Sequence, residues 1–132
     1  MWLLDTNVWI RHLNPGPSLV KDRLHQQSPH TLWLCDIVKA ELYYGAYKSS
    51  RQEQNLALLE KLFGKFQSLV FDGHAAQHFG RIRADLQRQG QPIGPYDLQI
   101  AAIALANDLT LVTHNTREFN RINGLRLTDW EI

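Results

Sequence analysis

Asp5, Glu41 and Asp97 are the residues of this 132-residue chain best placed to do chemistry, and Asn115 joins them by position. Asp5 closes the apolar run Trp2-Leu3-Leu4, Glu41 lies within an apolar helical stretch, Asp97 opens another, and Asn115 follows Thr110-Leu111-Val112. Carboxylates gathered in a poorly solvated cleft raise one another's pKa, because each charge disfavours the next. A divalent cation removes that penalty. The ligands on offer are oxygens, since the single cysteine forms no Cys-based site and the six histidines share no metal spacing. The cation expected is therefore Mg²⁺ or Mn²⁺ rather than zinc.

Each residue also has a structural role open to it. Asp5 suits the N-cap of a first helix, and Asp97, two residues after Pro95, suits an N3 carboxylate facing the helix dipole. Asn115 and Glu118 have the spacing of a capping box. Glu41 is harder to place, because it sits between Ile37 and Gly45 on an apolar stripe. An unpaired acid there costs several kcal/mol, as an order of magnitude, so it needs a buried partner or a cation. Of the histidines, His114 lies nearest these residues.

The elements that position them follow from hydrophobic spacing. Trp2 to Leu4, Leu32 to Cys35, Ser68 to Phe71, Thr110 to Val112 and Leu125 to Leu127 read as short strands. Between them lie helices over Val8 to Leu13, Ser18 to Gln27, a stretch capped by Asp36, Arg51 to Phe66, Asp72 to Gly90 and Pro95 to Asn107, then a loop turning into a short helix over Thr113 to Phe119. Strands alternating with helices imply a parallel sheet covered on both faces. Ligands of such folds bind beyond the carboxyl ends of the strands, where all four polar residues belong. The first turn carries Asp5-Thr6-Asn7-Val8 in place of a glycine-rich fingerprint, which argues against a nucleotide cofactor.

Length and composition bound the rest. A chain of 132 residues has room for one domain, spanning 1–132, and 44% hydrophobic with 20% charged residues is ordinary for a globular protein. Fourteen Lys and Arg against thirteen Asp and Glu leave a net charge of +1, without the basic excess of a protein that holds nucleic acid by bulk charge. The lone Cys35 needs no oxidising compartment. The N-terminus lacks a basic n-region, and the longest apolar run, Leu98 to Asn107, is too short for a bilayer, so the address expected is cytoplasmic with no membrane role.

Four blocks of this sequence resemble the PIN-domain ribonucleases, specifically the VapC-type toxins of bacterial type II toxin-antitoxin modules. They are Leu3-Leu4-Asp5-Thr6-Asn7, Glu41-Leu42 followed by Gly45, Ile93-Gly94-Pro95-Tyr96-Asp97 with Ile100-Ala101-Ala102, and Thr113-His114-Asn115-Thr116-Arg117-Glu118-Phe119. The resemblance runs from Met1 to Trp130. It implies a three-layer α/β/α fold with a five-stranded parallel sheet, Mg²⁺-dependent endoribonuclease activity, and silencing by a cognate VapB-type antitoxin held in a groove of the early helices. Homodimers are common in that family. By position Asp5 and Asp97 are similar to the metal-binding pair and Glu41 to the third acid. The family commonly has a fourth acid where this chain has Asn115, and Glu118 is placed to replace it in part. Where relatives often carry small hydroxyl residues, this chain has Cys35, Asp36 and Val38. The ending from Ile93 to Trp130 most resembles members that attack a tRNA anticodon stem-loop.

The mechanism implied has Asp5 and Asp97 holding Mg²⁺ while Glu41 orients or deprotonates the attacking water. Thr6, Asn7 and Asn115 position waters or substrate, and Arg117 meets the phosphate. Lys39, Lys48, Arg81, Arg83, Arg88 and Arg121 are further basic residues open to RNA, although Arg81 and Asp85 at i, i+4 have the pattern of a solvated ion pair. Tyr43, Tyr44 and Tyr47 exceed what a small core needs and read as partner surface. Two alternatives stand beside this one. A receiver-like signalling module would use Asp72 as phospho-acceptor, but the chain lacks its adjacent acid pair and its lysine after strand five. A non-catalytic RNA-binding version of the fold is expected to lose Asp5, Glu41 or Asp97, and all three are present.

Overall fold

The computed structural model describes residues 1–132. Five short strands, β1 (Trp2–Leu4), β2 (Leu32–Cys35), β3 (Gln67–Leu69), β4 (Thr110–Val112) and β5 (Leu127–Thr128), form one parallel sheet in the order β3-β2-β1-β4-β5. Helices α1 (Thr6–Leu13) and α2 (Leu19–His25) link β1 to β2, and α3 (Asp36–Lys48) and α4 (Gln52–Lys65) link β2 to β3. Helices α5 (Gly73–Arg88) and α6 (Pro95–Ala106) link β3 to β4, and α7 (Thr116–Phe119) precedes β5. The chain walks outward from β1 to β3, then returns past β1 to β4. Right-handed crossovers therefore put α1 to α4 on one face and α5 to α7 on the other, giving the three layers expected.

Burial on both faces explains why the strands are apolar at successive positions. Leu3, Leu4, Leu34, Cys35, Leu111 and Val112 are all fully buried within one cluster of 30 residues. Helix α6 is the second apolar layer, burying Leu98, Ile100, Ala101, Ala102, Ile103 and Ala104. Three of its four alanines are buried, and α5 packs against it. No helix is long and apolar enough to cross a membrane.

The reversal of strand order lies between β1 and β4, whose register pairs Leu4 with Val112. Chain segments leaving those two strands diverge to opposite faces, so a crevice opens at their carboxyl ends, which is the usual ligand position in open α/β sheets.

Three element boundaries differ from the sequence reading, each for a local reason. Strand β3 covers Gln67–Leu69 rather than Ser68 to Phe71, because those residues pair with Trp33, Leu34 and Cys35 while Val70 is left exposed. Strand β5 covers Leu127–Thr128 rather than Leu125 to Leu127, paired with Leu111 and Val112 after a turn at Gly124, whose φ is +85°. Asp36 is not an N-cap: β2 runs straight into α3, Cys35 takes the cap position without a side-chain bond, and Asp36 is the first helical residue, where its charge still favours the dipole.

Truncating the centre of α6 should be the most damaging kind of change. Ile100→Ala, at a fully buried position, is expected to lower stability by about 2–5 kcal/mol, measured by urea unfolding, whereas Tyr47→Ala on the surface should change it by less than about 0.5 kcal/mol.

Candidate active site

Asp5 is the first residue past β1. Its N–H donates to the Val112 carbonyl at 3.0 Å, the last rung against β4, and this delivers the side chain to the crevice. Oδ1 accepts the Val8 N–H at 3.0 Å, and Oδ2 accepts the Thr113 hydroxyl at 2.5 Å. The helix-capping role open to Asp5 is thus real, and it fixes the carboxylate in the crevice. With Asp5 only 7% exposed, burial pushes its pKa up, the two hydrogen bonds pull it back, and the charges of Glu41 and Glu131 push it up again.

Glu41 reaches the same place from the second turn of α3. It is half-buried there, and its partner is the half-buried Thr6, whose hydroxyl donates to Oε1 at 2.7 Å. Asp97 arrives from the first turn of α6, following Pro95 at the helix start. Burial raises its carboxyl, and the charges of Asp5, Glu41 and Glu118 raise it further, to about 6. Acids from three other segments thus act on Asp97.

Asn115 and Glu118 occupy the spacing of a capping box without forming one. The Asn115 side chain caps no backbone N–H of α7; instead its Nδ2 donates to Glu118 Oε2 at 3.1 Å. The amide therefore holds Glu118 within electrostatic reach of Asp97. Asn115's own N–H donates to Thr113 Oγ at 3.0 Å, so the loop is tied to the same hydroxyl that supports Asp5.

Thr113 carries no role in the sequence reading, yet it is fully buried and joins β4 to both Asp5 and Asn115. Its only signal in the sequence is a hydroxyl directly after a strand, and that signal gains meaning once β4 is known to lie beside β1. Thr6, whose hydroxyl engages Glu41, orients an acid. Asn7 and Arg117 are exposed, and neither side chain takes part in a hydrogen bond or ion pair within the protein.

Other candidates are occupied elsewhere. Arg81 and Arg88 both pair with Asp85, at 4.0 and 2.6 Å, as the i, i+4 spacing anticipated for the first. Asp72 accepts the Ala75 N–H as cap of α5. His114 Nδ1 sits 2.9 Å from Asp129 Oδ2 and pins the C-terminal segment, which Arg11 also holds through Glu131 at 3.3 Å. Burial pushes the Cys35 thiol up to about 11, leaving it protonated and unreactive.

A PIN domain family model matches residues 2–125. The chain is 42% identical over 129 residues to the tRNA(fMet)-specific endonuclease VapC of Shigella flexneri, covering 98% of this chain and 97% of that protein. It is 39% identical to ribonuclease VapC2 of Haemophilus influenzae over the same share of both chains. The chain is a VapC-type member of the PIN-domain family. The VapC subunit fold agrees in three dimensions: a DNA-bound VapBC structure from Salmonella typhimurium superposes with a TM-score of 0.91 at 41% identity, covering 98% of this chain and 97% of that one. The VapBC2 structure from Rickettsia felis also gives 0.91, at 35% identity over 98% of each chain. A receiver-like module is thereby excluded. VapC proteins of this family are ribonuclease toxins and are generally metal-dependent.

If these VapC acids repel one another without a cation, neutralising Asp97 should stabilise the metal-free protein. A folded-state pKa raised above the usual 3.8 means that the native state holds a proton the unfolded chain has released. Stability then falls as pH rises from about 4 to about 6, and stays lower above it. Asp97→Asn should recover about 1 kcal/mol at pH 7 in EDTA, allowing for its partial exposure, and flatten that pH dependence in thermal unfolding scans.

Proposed function

We propose that this protein is a cytoplasmic, single-domain VapC toxin that hydrolyses a phosphodiester bond in tRNA, using Mg²⁺ held by Asp5 and Asp97. The observation that carries this reading is the convergence of Asp5, Glu41, Asp97 and Glu118 on one crevice, with Asp97 raised to about 6 by its neighbours. The donor set is all oxygen and carries excess negative charge, which fits a hard cation. Mn²⁺ suits the same donors. A hard cation held by Asp5 and Asp97 would supply Lewis acidity to the phosphate oxygens and lower the pKa of the attacking water.

The chain's own residues do the rest. The bonds from Val8 and Thr113 fix both oxygens of Asp5, so that carboxylate is preorganised rather than mobile. Thr6 holds Glu41 by one oxygen, leaving the other to accept the proton of the attacking water. Water oxygen bonds to phosphorus, one P–O bond breaks, and the leaving oxygen takes up a proton. Arg117 meets the phosphate, and Asn7, next to Thr6, contacts substrate. Asn115 and Glu118 stand where a fourth acid is common, contributing one charge through Glu118 rather than at position 115 itself.

The partner is a VapB-type antitoxin. A groove of about 370 Å³ between α1, α3 and α4 is lined by Ile10, Leu13, Leu42, Leu58 and Leu59, and Glu41 stands at its edge. A segment laid along it covers the acid that handles the water. Tyr43 and Tyr47 add exposed aromatic surface on α3, suited to a second copy of the chain or to the antitoxin. The tRNA(fMet) specificity named for the Shigella relative makes an anticodon stem-loop the first substrate to test.

Mapping of 5′ ends in cellular RNA after brief expression should give discrete new ends for the wild type. Asp5→Asn and Asp97→Asn should each lose at least about 100-fold in cleavage while remaining folded by circular dichroism. Full activity in either variant, or no discrete end in the wild type, contradicts the proposal.

A further inference from the structure

We propose that Tyr44 and Tyr96 form a nucleobase subsite that holds an unstacked base next to the scissile phosphodiester. This rests on the ribonuclease reading and adds the residues that would read the RNA. A cavity of about 540 Å³ opens between α1, α3 and the start of α6, with Thr6 and Glu41 forming its inner wall and Ile37 and Gly45 part of its apolar lining. Tyr44 and Tyr96 line it too, yet remain 67% and 60% exposed. Large aromatic rings standing in water around an apolar hollow are a surface lacking its partner.

Gly45 keeps the hollow open. It lies inside α3, where glycine is a poor helix former, and its backbone needs no left-handed φ. Nothing lies within 4 Å of where its Cβ would be. A bulky side chain there would take up room in the cavity it lines.

The occupant follows from continuity and charge. Thr6 and Glu41 belong both to the cavity wall and to the acidic centre, so a chain bound at that centre reaches into the cavity. In RNA the group joined to a phosphodiester is a ribose bearing a flat base. Unstacked loop bases are the ones proteins seat on tyrosine. Lys48 Nζ lies 5.4 Å from the Tyr44 ring centroid, which puts a cation for a flanking phosphate beside the ring. Ile10, Glu41 and Gly45 also line the groove assigned above to the antitoxin, whereas Tyr44 and Tyr96 line only this cavity. Substitutions at the two tyrosines therefore probe this cavity apart from that groove.

The test uses a tRNA anticodon stem-loop with Mg²⁺ and the same RNA carrying an abasic nucleotide on either side of the cut, with no antitoxin present. On the intact RNA, Tyr44→Ala/Tyr96→Ala should lose at least about fivefold in kcat/KM, the low end of one base–aromatic stack, and Tyr44→Phe/Tyr96→Phe should retain wild-type activity. Gly45→Leu, folded by circular dichroism, should lose as much as the alanine pair by filling the cavity. On the abasic RNA at the sensitive position, wild type and the alanine pair should cut equally. The proposal is overturned if the alanine pair cuts intact RNA like wild type, or if it loses the same factor on both RNAs. A wild type that leaves the intact RNA uncut overturns the ribonuclease reading along with it, whereas normal cutting by both proteins overturns the base subsite alone.

Discussion

Repulsion among carboxylates gathered around one buried acid, Asp5, is the constraint that orders this molecule. Asp5 and Asp97 are each raised by burial and by neighbouring acids, and no lysine or arginine pairs with either. A fold selected for stability alone gains nothing from this arrangement, since a buried acid without a partner is unfavourable. The structure contains it by bonding the acids to neutral donors. Val8 and Thr113 hold Asp5, Thr6 holds Glu41, and Asn115 holds Glu118. Hydroxyl and amide donors fix geometry without cancelling charge, so the negative potential survives for a cation to answer.

The strand order makes that concentration of charge feasible. With β1 flanked by β2 and β4, the ends of three neighbouring strands and the start of α6 meet at one crevice. The apolar sheet behind it supplies the low dielectric that strengthens each interaction. Thr113 shows how closely support and site are joined: one hydroxyl serves Asp5, which caps α1, and Asn115, which begins α7. The same economy explains why two exposed tyrosines and a glycine next to Glu41 matter, since substrate selectivity must be built from surfaces that touch this crevice.

Much of this was legible in the sequence. Asp5, Glu41 and Asp97 stand out because each is an acid set against an apolar run, and the alternation of strands and helices fixes that such positions share one edge of a parallel sheet. The sequence does not encode which strands are neighbours in any local pattern. Thr113 was therefore invisible as a support until β4 was seen beside β1. Edge strands β3 and β5 were misplaced by one or two residues because each has a partner on one side only, and the apolar pattern weakens there. Asn115 and Glu118 have a capping-box spacing, and only the geometry reveals that the amide bonds the carboxylate instead of the helix backbone. The near-neutral charge of +1 is likewise an average: setting aside Asp5, Glu41 and Asp97 leaves fourteen basic residues against ten acidic.

Carboxyl ¹³C NMR titration tests most directly whether a cation is what lets these acids coexist. In the metal-free protein the Asp97 carboxyl should titrate near pH 6, and saturating Mg²⁺ should move that titration below the ordinary aspartate value. An Asp97 that titrates near 3.8 without metal, or one that Mg²⁺ leaves unmoved, would contradict the account.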